Sequence, residues 1–170
     1  MSVSGELHKF DVKIGRMFKK EEEKQIRLDF WQELNVQFQN MRGAHGNKVS
    51  WTNFNTRIRH LYFRMEADQN GARLCIDLQF PDADIRGIFY EQFQEFEEKL
   101  TSIYGKALKW YPVFDHSNGK TISRIAVEQE GTNLFRRSDW PEMQQFLLTQ
   151  FKALEKFWAM FNDVFIQLKN

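Results

Sequence analysis

The sequence predicts an α+β fold, with an antiparallel or mixed sheet of four to five strands packed by three helices in the order α-β-β-β-α-β-β-α. Three observations carry this. Three stretches repeat apolar residues at helical spacing, two others alternate apolar with polar residues, and an Asn-Gly pair lies inside each alternating region. Composition agrees: 42% hydrophobic residues with 17 Phe and 5 Trp supply a sizeable core, while 3 Pro and 9 Gly exclude a low-complexity chain.

The first helix is predicted over residues 20–41, where Ile26, Phe30, Leu34 and Phe38 recur every fourth position and Trp31 and Met41 widen the stripe. Glu21, Glu22 and Glu23 then fall in its first turn, where negative charge suits the helix dipole, and Gly43 and Gly46 end it. Residues 1–19 are read as an N-terminal extension and 20–170 as one α+β domain.

Strands follow. Residues 48–53, with Val49 and Trp51 on one side, predict a short one. Residues 61–67 place Leu61, Phe63, Met65 and Ala67 on one face and Tyr62, Arg64 and Glu66 on the other; Leu74, Ile76, Leu78 and Phe80 repeat the pattern with Arg73, Cys75, Asp77 and Gln79 opposite. A two-residue turn at Asn70-Gly71 joins them, since both positions of such a turn need positive φ. That register sets Phe63 opposite Leu78, Met65 opposite Ile76, and Arg64 opposite Asp77 as a cross-strand ion pair.

A second helix opens after Pro81, capped by Asp82 or Asp84, with Ile85, Phe89, Phe93, Phe96, Leu100 and Ile103 as its buried stripe and Gly105 at its end. The second hairpin runs from 108–113 to 122–128 around Asn118-Gly119. A tight turn sets Lys109 opposite Glu128 and Trp110 opposite Val127; a longer loop over 115–121 is the alternative. Pro112 cannot donate to a ladder, so its strand belongs at an edge.

The last helix starts at a capping box, Asp139-Trp140-Pro141-Glu142. Leu147, Phe151, Leu154, Trp158, Phe161, Phe165 and Leu168 then recur at helical spacing. Such a helix spans about 42 Å, more than a small sheet covers. Its distal residues Phe157, Phe161 and Phe165 are therefore a candidate self-association surface for a homodimer, beside the plainer reading of a core helix.

Charge and cysteine content exclude several function classes. Lys+Arg 24 against Asp+Glu 23 leaves +1, so no global field draws the chain to nucleic acid or membrane. The single cysteine, Cys75, allows no internal disulfide, fits a reducing cytosol and reads as a packed thiol. Charges scattered through Met1 to Phe18 interrupt any signal-peptide core, and no apolar run approaches a membrane span. A cytoplasmic protein is expected.

Catalytic signals are weak. Pro81-Asp82 with Glu97-Glu98-Lys99 spells the skeleton of PD-(D/E)xK nucleases, but those acids fall on a helix and its cap rather than on adjacent strands, so the spelling reads as an accident. Glu66, Asp77 and Glu128 lie near Lys109 and Arg124 on the polar sheet face, the ingredients of metal-assisted hydrolysis; neutralised ion pairs are the simpler reading. His8, His45, His60 and His116 are scattered and make no zinc spacing, and no glycine-rich phosphate loop occurs. No catalytic residue, metal or cofactor is expected.

The polar sheet face is the one surface that points to binding. Tyr62, Arg64, Lys109, Tyr111 and Arg124 would project from it together, and aromatic plus basic side chains on a sheet are what single-strand nucleic-acid binding uses. Glu66, Asp77 and Glu128 on the same face would repel a polyanion.

Taken in order, Arg27-Leu28-Asp29-Phe30-Trp31, Trp51 with Leu61-Tyr62-Phe63-Arg64-Met65, Phe80-Pro81-Asp82 with Tyr90-Glu91-Gln92-Phe93, Ser123-Arg124-Ile125 and Asp139-Trp140-Pro141-Glu142 resemble a bacterial family of unknown function, DUF4268. The likeness covers residues 20–165. In longer relatives such a domain follows a nuclease-like one, whereas compact members stand alone, and this chain resembles the compact kind. The resemblance brings no catalytic residues; it implies an accessory role near nucleic-acid processing or defence. The expectation is a non-catalytic module acting through protein-protein contacts with a macromolecular partner, with nucleic-acid binding linked to nuclease or defence systems, and then a metal-dependent nuclease, as alternatives.

Overall fold

The four strands lie side by side in the order β1-β2-β4-β3, every neighbouring pair antiparallel. They are β1 (Leu61–Asp68), β2 (Gly71–Leu78), β3 (Lys109–Asp115) and β4 (Thr121–Gln129). The helices are α1 (Val3–Gln39), α2 (Ala83–Glu95), α3 (Glu97–Tyr104) and α4 (Trp140–Gln167), the last entered through a 3-10 turn at Arg137–Asp139. The computed structural model describes residues 3–169.

The α+β class and the antiparallel sheet match the sequence pattern; several local expectations need correction. The stretch 48–53 forms no strand, and Trp51 leaves the loop to stack on Phe38, ring centroids 5.2 Å apart. The helix predicted over 85–103 is two helices, broken at Phe96 (φ −94°, ψ 9°), whose ring packs among Phe157, Phe161 and Phe165 at 4.9–5.6 Å. The first helix begins at Val3, so Glu21–Glu23 sit mid-helix rather than in a first turn. Before them Gly5 and Gly15 are the glycines, and each costs about 1 kcal/mol, too little to end a helix this long.

Both hairpins fold where the Asn-Gly pairs announce them, in different registers. In the first, Asp68 pairs with Gly71, so Gln69 and Asn70 make the turn with negative φ. Phe63 therefore faces Ile76, and Arg64 faces Cys75 rather than Asp77. The two-residue shift preserves which face each side chain occupies, because the strand period is two. Gly71 (φ +128°) serves a different need: a Cβ there would come 1.9 Å from the carbonyl oxygen of Gln129 on β4. In the second hairpin Lys109 faces Ala126 and Trp110 faces Ile125, with a bulge between Tyr111 and Phe114. Pro112 occupies that bulge on an edge strand, as its missing N–H requires.

The apolar sheet face meets the helices. Phe63 lies edge-on to Trp158 of α4 (5.3 Å), and Trp110 to Tyr90 of α2 (5.7 Å). Phe30, Leu34 and Phe38 of α1 close the same core from the β1 side. Asp139 does not cap α4 with its side chain. The 3-10 turn puts it in helical backbone geometry, and its carboxylate instead accepts from the Asn133 N–H at 2.9 Å. Asp82 does cap α2, accepting from the N–H groups of Asp84 and Ile85 at 2.8 and 3.1 Å.

Candidate functional site

Strand pairing brings the five predicted surface residues onto one face. Tyr62, Asp77, Arg124 and Tyr111 form a row across all four strands, and Arg64, Cys75, Ala126 and Lys109 form the next. α2 and α4 pack on the opposite side, which leaves Tyr62 and Tyr111 half-buried and Arg64 and Lys109 exposed.

The charges on this face are largely spent on one another. Arg124, only 3% exposed, donates from Nε and Nη2 to both oxygens of the fully buried Asp77 at 2.7 and 2.9 Å. Its Nη1 and Nη2 also reach Glu66 at 3.2 and 2.8 Å, and the guanidinium lies 4.3 Å from the Phe114 ring centroid. Burial works against the charge on Arg124, but hydrogen bonds and field from Asp77 outweigh it and raise its pKa. Lys109 bridges Glu128 and Glu130 at 2.7 and 2.6 Å, and these hydrogen bonds raise the Lys109 pKa and lower that of Glu130. The Tyr111 hydroxyl donates to Glu128 at 2.9 Å; burial first and this bond second push its pKa up. Arg64 differs: its guanidinium lies 4.7 Å from the Tyr62 ring centroid and makes no ion pair among the described residues.

These contacts bear on the catalytic alternatives. No group of three or more His, Cys, Asp or Glu among the described residues is arranged to hold a metal ion. Asp82 is spent on its cap, and Glu97 to Lys99 open α3. Cys75 is buried, and desolvation raises its pKa well above the ordinary value, which keeps the thiol protonated and unreactive.

Nor is the aromatic end of α4 a free surface. Phe157 and Phe165 are fully buried against Phe93 and Phe96, and only Phe161 is partly exposed. Phe93 of α2, Phe96 at the break and Lys99 of α3 cover these rings.

A second feature escaped the sequence pattern. β1 is an edge strand eight residues long, with no proline and an unbroken register to β2. Among the described residues, loop hydrogen bonds reach its backbone only at the two ends: Leu61 N–H donates to the Ile58 carbonyl, Thr56 Oγ1 donates to the Leu61 carbonyl, and Leu134 N–H donates to the Asp68 carbonyl. Between those ends Phe63, Arg64 and Met65 border a cleft of about 220 Å³. Trp31, Leu34 and Phe38 of α1 and Trp51 and Thr52 of the following loop form its other walls. Trp51 is buried, and its indole N–H has no acceptor among the described residues. The cleft depends on a non-local meeting of α1, a loop and β1, so periodicity within any one segment carries no trace of it.

A family model described as a domain of unknown function, DUF4268, matches residues 26–162. No curated protein and no solved structure matches the chain. No helix among the described residues is long and apolar enough to cross a membrane.

Proposed function

This chain belongs to the DUF4268 family, and on that premise we propose that it is a non-catalytic protein-binding module that takes an extended segment of its partner onto the free edge of β1. The carrying observation is the contrast between the two sheet edges. β3 is blunted by Pro112 and a bulge, the usual protection against strand addition, whereas β1 keeps a straight row of backbone groups beside an apolar cleft. An added strand would satisfy those groups and set one apolar side chain in the cleft. Arg64, exposed at the rim and free of ion pairs among the described residues, favours an acidic residue beside it. Nucleic acid fits less well, because Arg124 and Lys109 are held by carboxylates that a phosphate would have to displace.

A library of short displayed peptides, selected against the full chain, tests this. Binders should combine an apolar residue with a nearby acid and shift the NMR signals of β1 amides and the Trp31 and Trp51 indoles. Thr52→Arg, which fills the mouth of the cleft from an exposed position, should weaken binding at least tenfold (about 1.4 kcal/mol) without moving the melting temperature. Peptides that leave β1 unmoved, or retention of single-stranded oligonucleotides at low salt that Arg64→Ala abolishes, would overturn the proposal.

A further inference from the structure

Residues 5–20 of α1 are exposed apart from a half-buried Ile14, and Ile26 is the first α1 side chain among the described residues packed on the core, yet the segment carries an apolar seam. Leu7, Phe10, Ile14 and Met17 recur at spacings of three and four; Leu7, Phe10 and Met17 are 58%, 61% and 60% exposed. At 3.6 residues per turn this seam points about 160° away from the stripe of Ile26, Phe30, Leu34 and Phe38 that enters the core. It also stands clear along the axis, with Leu7 about 28 Å beyond Ile26, the first side chain packed on the domain. A continuous α1 cannot turn this seam onto its own domain. The segment also precedes residues 26–162, the span the family model matches.

We propose that residues 5–20 of α1 are a dimerisation arm, forming an antiparallel two-helix coiled coil with the same segment of a second copy. Leu7, Phe10, Ile14 and Met17 keep the a and d spacing of a helix partner, and Phe18, 71% exposed, widens the face at the neighbouring e position. Glu6 and Asp11 on its two flanks would be repelled by an anionic membrane surface but can pair with a second helix. Antiparallel overlap about residue 12 makes four apolar layers, in which Leu7 meets the partner's Met17 and Phe10 meets the partner's Ile14, each twice. Charge selects the direction. Antiparallel pairing sets Glu6 beside the partner's Lys20 at both ends, whereas parallel pairing sets Glu6 against the partner's Asp11. The antiparallel axis brings Lys13 and Asp11 near their own copies, which offsets the Glu6–Lys20 pairs, whereas parallel pairing offers Glu6 only the repulsive Asp11. Below Met17 the seam positions become Glu21 and Lys24, which ends the apolar contact before the domains begin.

Light scattering on the full chain at tens of micromolar should give a dimer mass. Leu7→Ser/Ile14→Ser should give a monomer with an unchanged urea midpoint by tryptophan fluorescence. Glu6→Lys and Lys20→Glu should each weaken the dimer several-fold, and the double reversal should restore it. A tighter dimer with Glu6→Lys would mean parallel helices and overturn the arrangement. A wild-type monomer, a dimer that survives Leu7→Ser/Ile14→Ser, or a monomer that binds phosphatidylserine vesicles through this segment would overturn the arm itself. Each readout is independent of peptide binding at β1.

Discussion

Arg124 and Asp77 meet side by side on β4 and β2 with almost no access to water. Their charges are tolerable only together: each supplies the hydrogen bonds that the other lost on leaving solvent. Arg124→Met should therefore destabilise the fold by about 3–5 kcal/mol, because it strands a buried carboxylate, and Arg124→Met/Asp77→Leu should recover most of that loss. Urea unfolding of the two variants measures the difference; equal midpoints would show that the pairing is not what stabilises this face. Both residues were legible as members of the polar face, but their pairing was not. The sequence links Asp77 to Arg64 through the nearest hairpin, whereas the partner lies 47 residues away on a strand that only the tertiary fold brings alongside.

The hairpins show at element scale what local pattern can and cannot supply. Alternation assigned residues 61–67 of β1 and 73–78 of β2 to their correct faces, and the helical stripes of α2, α3 and α4 identified Phe93, Leu100, Leu147 and Phe151 as core. Register was less accessible, because a glycine after an asparagine has two uses. The Asn-Gly pattern makes Gly71 the second residue of a tight turn; in the fold it opens β2, and β4 crowds its missing side chain. Gly71→Ala should cost at least about 2 kcal/mol from the positive φ and the clash together, seen as a lowered melting temperature. A turn glycine open to solvent, such as Gly119, would lack the second contribution. The break at Phe96 escaped for a related reason: its cause is a cluster of rings contributed by α4, not a helix breaker in its own segment.

The whole molecule divides into one continuous core and an arm. All five tryptophans lie within or against that core, whereas residues 5–20 carry none. Thermal unfolding followed by tryptophan fluorescence should thus give one cooperative transition, while far-UV circular dichroism should add an earlier step from the arm. That step should move to higher temperature as protein concentration rises, since association stabilises it by mass action. Coincident curves at every concentration would mean that the arm is held by the domain. The arm was visible in the sequence only as an extension: charges between the seam residues hide the heptad from a search for core-facing stripes.

The unequal edges of the sheet set an upper bound on its growth. A β-layer extends without limit only when each new member offers a fresh edge to the next, and here Pro112 and the neighbouring bulge close one margin. Pairing of β1 with another molecule's β1 consequently stops after a single event, because the far margin of each molecule is its own closed β3. The exposed margin can serve recognition without seeding a fibre.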